Sequence, residues 1–444
     1  MTTVFVDVTQ FGAAGDGVTD DTAAIATALA NIPTSTGGVL YFPPNHTFLV
    51  SHVDISAYSG SLVIMGGGWS SVLKLKNGAN DWIIKNTTGS QLGTTICNLK
   101  LDCNAANQTA ASGGIYGYKW RRCLIDFVWI HNPWQAGILL TADVSDFGYQ
   151  NRISNCFIEG GMNTTTGTNA YGNGLRLINT DENHVYCNHF ENNGNPNDTV
   201  YGFHIYDQNG LTDYIGNSFV NGMGVFKLDG LQCRIIGNIF DGNGGNCVQI
   251  NASAADTIIE GNIALNVGYQ ASGGTANSIN GIYLNATRCV IRSNYFESDA
   301  SATPKTNSFI KIDTGATYCL VEGNTLNVKA NSGTLTAPIY FVSSQPAGCR
   351  VRQNVGYDSV NSKAIFVTEN HGTAQITSGN TSVVVNHGLA LTPTLEQISV
   401  TPQNSLGSAH FFWIDTITST SFTLHVDANP AATVNFGWIA QTGW

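Results

Sequence analysis

The strongest constraint on this chain is a phrase that keeps returning: RISNCFIEG, YIGNSFVNG, IIGNIFDGN, IEGNIALN, IRSNYFES and VEGNTLNV. Its fixed point is an asparagine, at Asn155, Asn188, Asn217, Asn238, Asn262, Asn294, Asn324 and Asn354, with most intervals between the low twenties and low thirties. A second phrase alternates with it: GLRLINT, GFHIYDQN, GVFKLDG, CVQINAS, GIYLNAT, FIKIDTG, PIYFVSS and AIFVTEN. Each copy alternates apolar and polar residues, as a strand with one buried face must. Two or three short strands per repeat, with one loop of variable length, describe a rung of a parallel β-helix. Equivalent residues then stack about 4.8 Å apart.

Stacking turns repeated positions into columns. Phe157, Phe190, Phe219, Phe240 and Phe296 are expected to form an inward aromatic column. The asparagines are expected to bond from rung to rung at a bend. Cys233, Cys289, Cys319 and Cys349 each lie five residues before a ladder asparagine, so they read as small buried hydrophobes, not disulfide partners. Thiols used this way fit a chain folded in a reducing cytoplasm. Glu260, Arg292, Glu322 and Arg352 precede their asparagines by two residues. Their alternating signs predict a surface ion-pair ladder.

The opening holds an acidic cluster, FGAAGDGVTDDTAAI. Its spacing does not match an EF-hand, and no metal is expected. A repeat array needs a cap at its open end, and TDDTAAIATALANI supplies one. Thr19, Asp20 or Asp21 can N-cap a helix whose apolar face is Ala24, Ile25, Ala28, Leu29 and Ile32. Pro33 ends it, and glycines at 12, 15 and 17 allow a tight lead-in turn.

VFVDVTQFGAAGDGVTDDTAAIATAL followed by GGVLYFPPNHTFLV resembles the N-terminal signature of the pectate-lyase-like superfamily. The resemblance covers about the first 50 residues and implies a right-handed parallel β-helix. That fold serves polysaccharide lyases, glycoside hydrolases and phage tailspike depolymerases. It implies an end cap here, so the acidic cluster is not expected to be catalytic. The polygalacturonase motifs of the superfamily are incomplete: Asn179-Thr180-Asp181 occurs without its companions.

The rungs fade near residue 372. The remainder reads as about six alternating strands and predicts a small β-sandwich. It resembles C-terminal modules of phage tail fibres and tailspikes, which implies trimerisation or glycan binding. Trp413, Trp438 and Trp444 are sugar-platform candidates against a core or interface role. The expected fold is thus all-β: residues 1–50 as cap segment, 51–372 as a parallel β-helix with the catalytic site, and 373–444 as a sandwich.

Composition narrows the partners. Charged residues make up 11% of the chain and the net charge is −11. That disfavours nucleic acid and anionic membranes, which attract basic surfaces. No apolar run approaches the roughly 20 residues of a membrane helix. No signal-like segment and no virion-attachment domain is evident before the cap, and no cofactor is expected.

Against so little charge, one local concentration stands out. The rungs from Asn217 to Asn262 are short, flanked by long insertions near 161–173, 192–200 and 268–280, which suggests a groove floor between walls. One outward column reads Arg176, His204, Lys227, Gln249, and its neighbour Tyr206, Asp229, Asn251. Glu191 and Asp241 face them, and Asp207 ends a strand close by. Asp229 is the first choice for an essential carboxylate, with Glu191, Asp207 and Asp241 as partners and His204 as a possible base. Arg176, Lys227, Tyr206, Gln249, Tyr201 and Tyr269 are substrate-binding candidates. Adjacent rungs suit a retaining carboxylate pair and alternate rungs the upper edge of the inverting range. Alternatively, Arg176 and Lys227 would neutralise a uronate while His204 or Tyr206 takes its proton, as in a lyase. The expectation is a tailspike-like hydrolase of a bacterial surface polysaccharide. It would be a homotrimer of the virion tail, in contact with other tail proteins, or else a secreted enzyme. A polysaccharide lyase and a non-catalytic receptor-binding protein are the alternatives.

Overall fold

The alternating phrases become, in a computed structural model of the protein, the strands of a right-handed parallel β-helix followed by an antiparallel sandwich. The structure describes residues 4–442 except 60, 161–171, 195–201, 269–278, 299–305, 330–334, 336, 343–347, 356–367 and 390. One rung illustrates the plan. Arg234–Ile236 lies on a first face, Ile239–Asp241 on a second, and Val248–Ile250 opens a third. Each pairs in parallel with the equivalent strand of the next rung. The third face is a continuous 11-stranded sheet. Inward residues such as Ile235, Phe240 and Ile250 are buried, and the core runs unbroken along the coil.

The bend between the first two faces is held by asparagines. From Asn188 through Asn217, Asn238, Asn262, Asn294 and Asn324 to Asn354, each Nδ2 donates to the next Oδ1 at 2.8–3.0 Å. The same oxygen accepts the preceding asparagine's backbone N–H. Asn155 is not a member. Cys156 occupies the ladder position, its N–H donating to Asn188 Oδ1 at 2.9 Å, while Asn155 sits one residue earlier and is exposed. A slip of one residue exchanges inside and outside. Phe157 therefore faces out, stacked on His189, and Ile158 takes its place beneath Phe190. Phe190, Phe219 and Phe240 do stack inside, at 4.9 and 5.7 Å between centroids.

All ten cysteines are free thiols, and Cys233, Cys289, Cys319 and Cys349 are buried. The ion-pair ladder forms, with Arg292 2.9 Å from Glu260 and Arg352 3.0 Å from Glu322.

The cap helix spans Thr22–Ala30 and buries Ile25, Ala28 and Leu29. The acidic residues act differently from a simple N-cap. Asp21 holds the cap position, but its carboxylate reaches back to the N–H groups of Ala14 and Gly15. Asp20 accepts from the N–H and hydroxyl of Thr22 and pairs with Lys76 at 2.5 Å. The Lys76 ammonium, the largest cause, holds Asp20 down at about 2. Asp16 closes its own turn on Val18 and Thr19. The cluster thus ties the lead-in loop to the helix and to the first rungs.

From Glu369 the chain turns antiparallel, forming two three-stranded sheets over Phe422, Leu424 and Phe436. Trp438 packs within this core, whereas Trp413 is 42% exposed and stacked on His425. Trp444 lies outside the described residues. No helix among the described residues is long and apolar enough to cross a membrane.

The ladder yields a direct test. Asn238→Ala removes bonds to Tyr214 O and Asn262 Oδ1, orphans the backbone N–H of Asn217 and takes one of two acceptors from its Nδ2. Its urea unfolding free energy should fall by about 1–3 kcal/mol, the cost of leaving buried polar groups unpaired.

Candidate active site

The third face carries an outward column in strict register: Arg176, Tyr206, Lys227, Gln249. The two cations lie 5.6 and 5.2 Å from the centroid of the Tyr206 ring. His204 is not in this column; Tyr206 takes the place expected for it. Two residues earlier on the strand Phe203–Asp207, the backbone turns into the bend and His204 points inward, fully buried. Its ring packs on Phe190 and Phe219, accepts from Asn193 and donates to Asn243, both at 3.3 Å. Gly222 leaves room for it, since a Cβ there would lie 2.0 Å from Nε2. Burial depresses the imidazole to about 3, so it stays neutral and away from solvent.

Asp207 is likewise buried. Its carboxylate receives the N–H groups of Asn209 and Gly210 and the Tyr214 hydroxyl at 2.8–3.1 Å, closing a turn. Burial pushes its pKa upward. Asp229 lies past the far end of the strand Gly224–Leu228 and is bonded by Asn251. Glu191 and Asp241 lie before the near end, on the second face. A five-residue strand separates the two ends by about 16 Å. Asp229 therefore pairs with neither Glu191 nor buried Asp207 across a scissile bond. Tyr201, Tyr269 and the tips of the three long insertions lie outside the described residues.

The second face contains what the sequence reading overlooked. One outward column runs Lys74, Asp102, His131, Glu159, Glu191, Val220, Asp241, each in register with the next. Glu159 and Glu191 are on adjacent rungs, about 4.8 Å apart by strand spacing. Glu191 and Asp241 are two rungs apart, about 9.6 Å. Glu159 Oε1 accepts from Trp129 Nε1 and pairs with His131 Nδ1, both at 3.0 Å. Glu191 lies 3.4 Å from His189 Nε2 and accepts from Asn192. Both carboxylates remain partly exposed, at 21% and 30%. The signal was present in LIDFVWIHN, where Phe127, Trp129 and His131 alternate with buried Val128 and Ile130. Placing Phe157 in the core concealed it.

Another polar cluster, on the first face, surrounds Asp213. Its carboxylate is already clasped by Arg234 at 2.6 and 2.5 Å and approached by His184 at 3.3 Å.

Residues 5–132 match the family model described as rhamnogalacturonase A/epimerase, pectate lyase-like. The N-terminal part of the chain is thus similar to pectate-lyase-like domains. Among curated proteins none matches in sequence. Solved structures share the fold at low identity. The A-module of the Azotobacter vinelandii mannuronan C-5 epimerase AlgE6 has a TM-score of 0.56 at 16% identity, covering 81% of this chain and 97% of its own. The Dettilon tailspike protein gives 0.54 at 16%, covering 98% and 94%. A mutant tailspike of E. coli bacteriophage HK620, in complex with a pentasaccharide, gives 0.56 at 11%, covering 99% and 94%. The coil and these solved structures agree on architecture, as the stacked columns require.

His204 provides a pH test. It titrates near 6.5 when unfolded and about 3 when folded. The unfolded chain therefore binds the extra proton between those values, and stability falls as pH drops below 6.5, by up to about 1.4 kcal/mol per unit. Urea midpoints of His204→Gln measured from pH 7 to pH 4 should fall less steeply than those of the parent.

Proposed function

We propose that the protein is a phage tailspike-like depolymerase that hydrolyses glycosidic bonds of a bacterial surface polysaccharide, with Glu191 and Glu159 as its carboxylate pair. The observation that carries this reading is their register on adjacent rungs of one solvent-facing column. A separation near 5 Å suits a retaining hydrolase, in which one carboxylate attacks the sugar and the other protonates the leaving oxygen and later activates water. Glu159 suits the nucleophile, because Trp129 and His131 fix one of its oxygens. Glu191, more exposed beside His189, suits the acid and base. Asp241 in place of Glu159 would make the pair inverting. Tailspikes of the same fold, one holding a pentasaccharide, support a glycan substrate and a place in a virion tail among other tail proteins.

A lyase reading keeps one support, the Tyr206 phenol bracketed by Arg176 and Lys227 on the third face. A non-catalytic receptor-binding protein would release nothing. Products separate the three: new reducing ends alone mark hydrolysis, and ultraviolet-absorbing unsaturated uronates mark elimination. Glu191→Gln and Glu159→Gln should each lower turnover at least about a hundredfold, the scale of one acid–base group, with folding unchanged. Full activity in both would move the site elsewhere.

The same reading includes a homotrimer. Ile239 and Ile263, in register on the second face, are 43% and 41% exposed, and Val355 is 65% exposed. Burying such a stripe against other copies removes apolar surface from water. Light scattering should give three times the 47.2 kDa chain mass. A monodisperse monomer at micromolar concentration would refute it.

A further inference from the structure

We infer that the aromatic stripe Trp69, Phe127, Trp129, Phe157 and His189 on the second face is a stacking platform for a neutral glycan chain, laid along the coil axis and leading into Glu159 and Glu191. The inference rests on the hydrolase reading for its destination, and on independent observations for the platform itself.

The rings form one connected surface. Trp69 stacks on Phe127 with centroids 4.9 Å apart and planes 16° apart, and its indole N–H donates to Phe127 O. Trp69 meets Trp129 at 5.6 Å, Trp129 meets Phe157 at 5.9 Å, and Phe157 stacks on His189 at 4.7 Å with planes 3° apart. Lys100 Nζ lies 3.5 Å from the Trp129 centroid, a cation–π contact that holds the indole. Trp129, Phe157 and His189 succeed one another on paired strands, about 9.6 Å of axis in all. The next column on the same face bears Glu159 and Glu191, two residues along each strand.

Phe127 supplies the second observation. It occupies the corner position that other rungs fill with Gly216, Gly237, Gly261 and Gly323, or with the smaller or polar Asn98, Asn155, Cys187, Ser293 and Gln353, all at φ of 53–67°. Phe127 adopts φ 52° there and is 43% exposed. A bulky residue in the left-handed region is strained, and an exposed ring gains little from the core in return. Within the fold the ring gains its stack on Trp69, and contact with a ligand's apolar face adds to it. Aromatic rings present that kind of flat apolar surface, and sugar rings carry C–H faces that fit it.

Charge selects the class of glycan. Around the stripe stand Lys74 and Lys100 against Asp102, Asp126, Glu159 and Glu191. An acidic surface repels a polyuronate and tolerates a neutral chain.

The test uses a printed array of neutral and uronate-bearing oligosaccharides, probed with the full-length Glu191→Gln protein so that cleavage is not required. Neutral features should be retained in preference to uronate ones. Adding Phe127→Gly or Phe157→Ala should weaken that retention about tenfold, in line with the loss of one aromatic contact. Phe127→Gly relieves the strained corner, which offsets the lost Trp69 stack, so its melting temperature should stay near the parent's, which separates lost contact from lost fold. Retention of uronates over neutral sugars, no retention at all, or unchanged binding in both variants would overturn the proposal. So would a drop in oligomer mass in these variants, which would mean that a second copy covers the face. If Glu191→Gln still cleaves, the hydrolase assignment fails while the array result stands by itself.

Discussion

The coil depends on parallel strand pairing kept in register from rung to rung. Once Asn188 lies over Asn217, and Asn217 over Asn238, each neighbouring residue has its place one strand spacing above its counterpart. The ladder satisfies the buried polar groups of the bend, where the backbone leaves the sheet and would otherwise lose partners. It also converts a one-dimensional repeat into columns. Columns of phenylalanine fill the core, columns of cysteine pack a corner, and columns of alternating charge line the outside. The same geometry holds Glu159 and Glu191 at a separation set by backbone hydrogen bonds, which is the rigidity the proposed cleavage site needs.

Corners are where this regularity relaxes and where side chains acquire unusual surroundings. His204 and Asp207 belong to one short strand and both end up buried, each at a different corner of the coil. One is neutralised by burial among asparagines and phenyl rings, the other is wrapped by turn N–H groups and a phenol. They are structural polar groups of the kind a coil requires wherever it changes direction. Phe127 is the opposite case, a large ring placed outside at a corner where glycine is the comfortable choice.

Much of this was legible in the residues. The period, the rung plan, the cap helix over Thr22–Ala30, the buried thiols and the ion-pair ladder all follow from spacing and alternation, because a strand shows its burial every second residue. The candidate site was less legible for the same reason. RISNCFIEG has its asparagine one position earlier than YIGNSFVNG does in space, and that slip alone sent Phe157 to the wrong side. His204, Tyr206 and Lys227 all look outward in a linear alignment, yet only Tyr206 and Lys227 share a column. Asp229 and Glu191 seem close along the rungs, but a strand's length lies between them.

The sequence by itself determined that the chain coils, how many residues each turn contains, and which positions repeat. Those properties are local, set by alternation and turn chemistry within a few residues. Only the tertiary structure decided which side chains meet: that Glu159 stands beside Glu191, that His204 is sealed beneath Gly222, and that five aromatic rings from four rungs form one surface. Contacts between rungs join residues some thirty positions apart, and a single-residue difference in register, invisible in a repeat of uneven length, exchanges the core for the solvent.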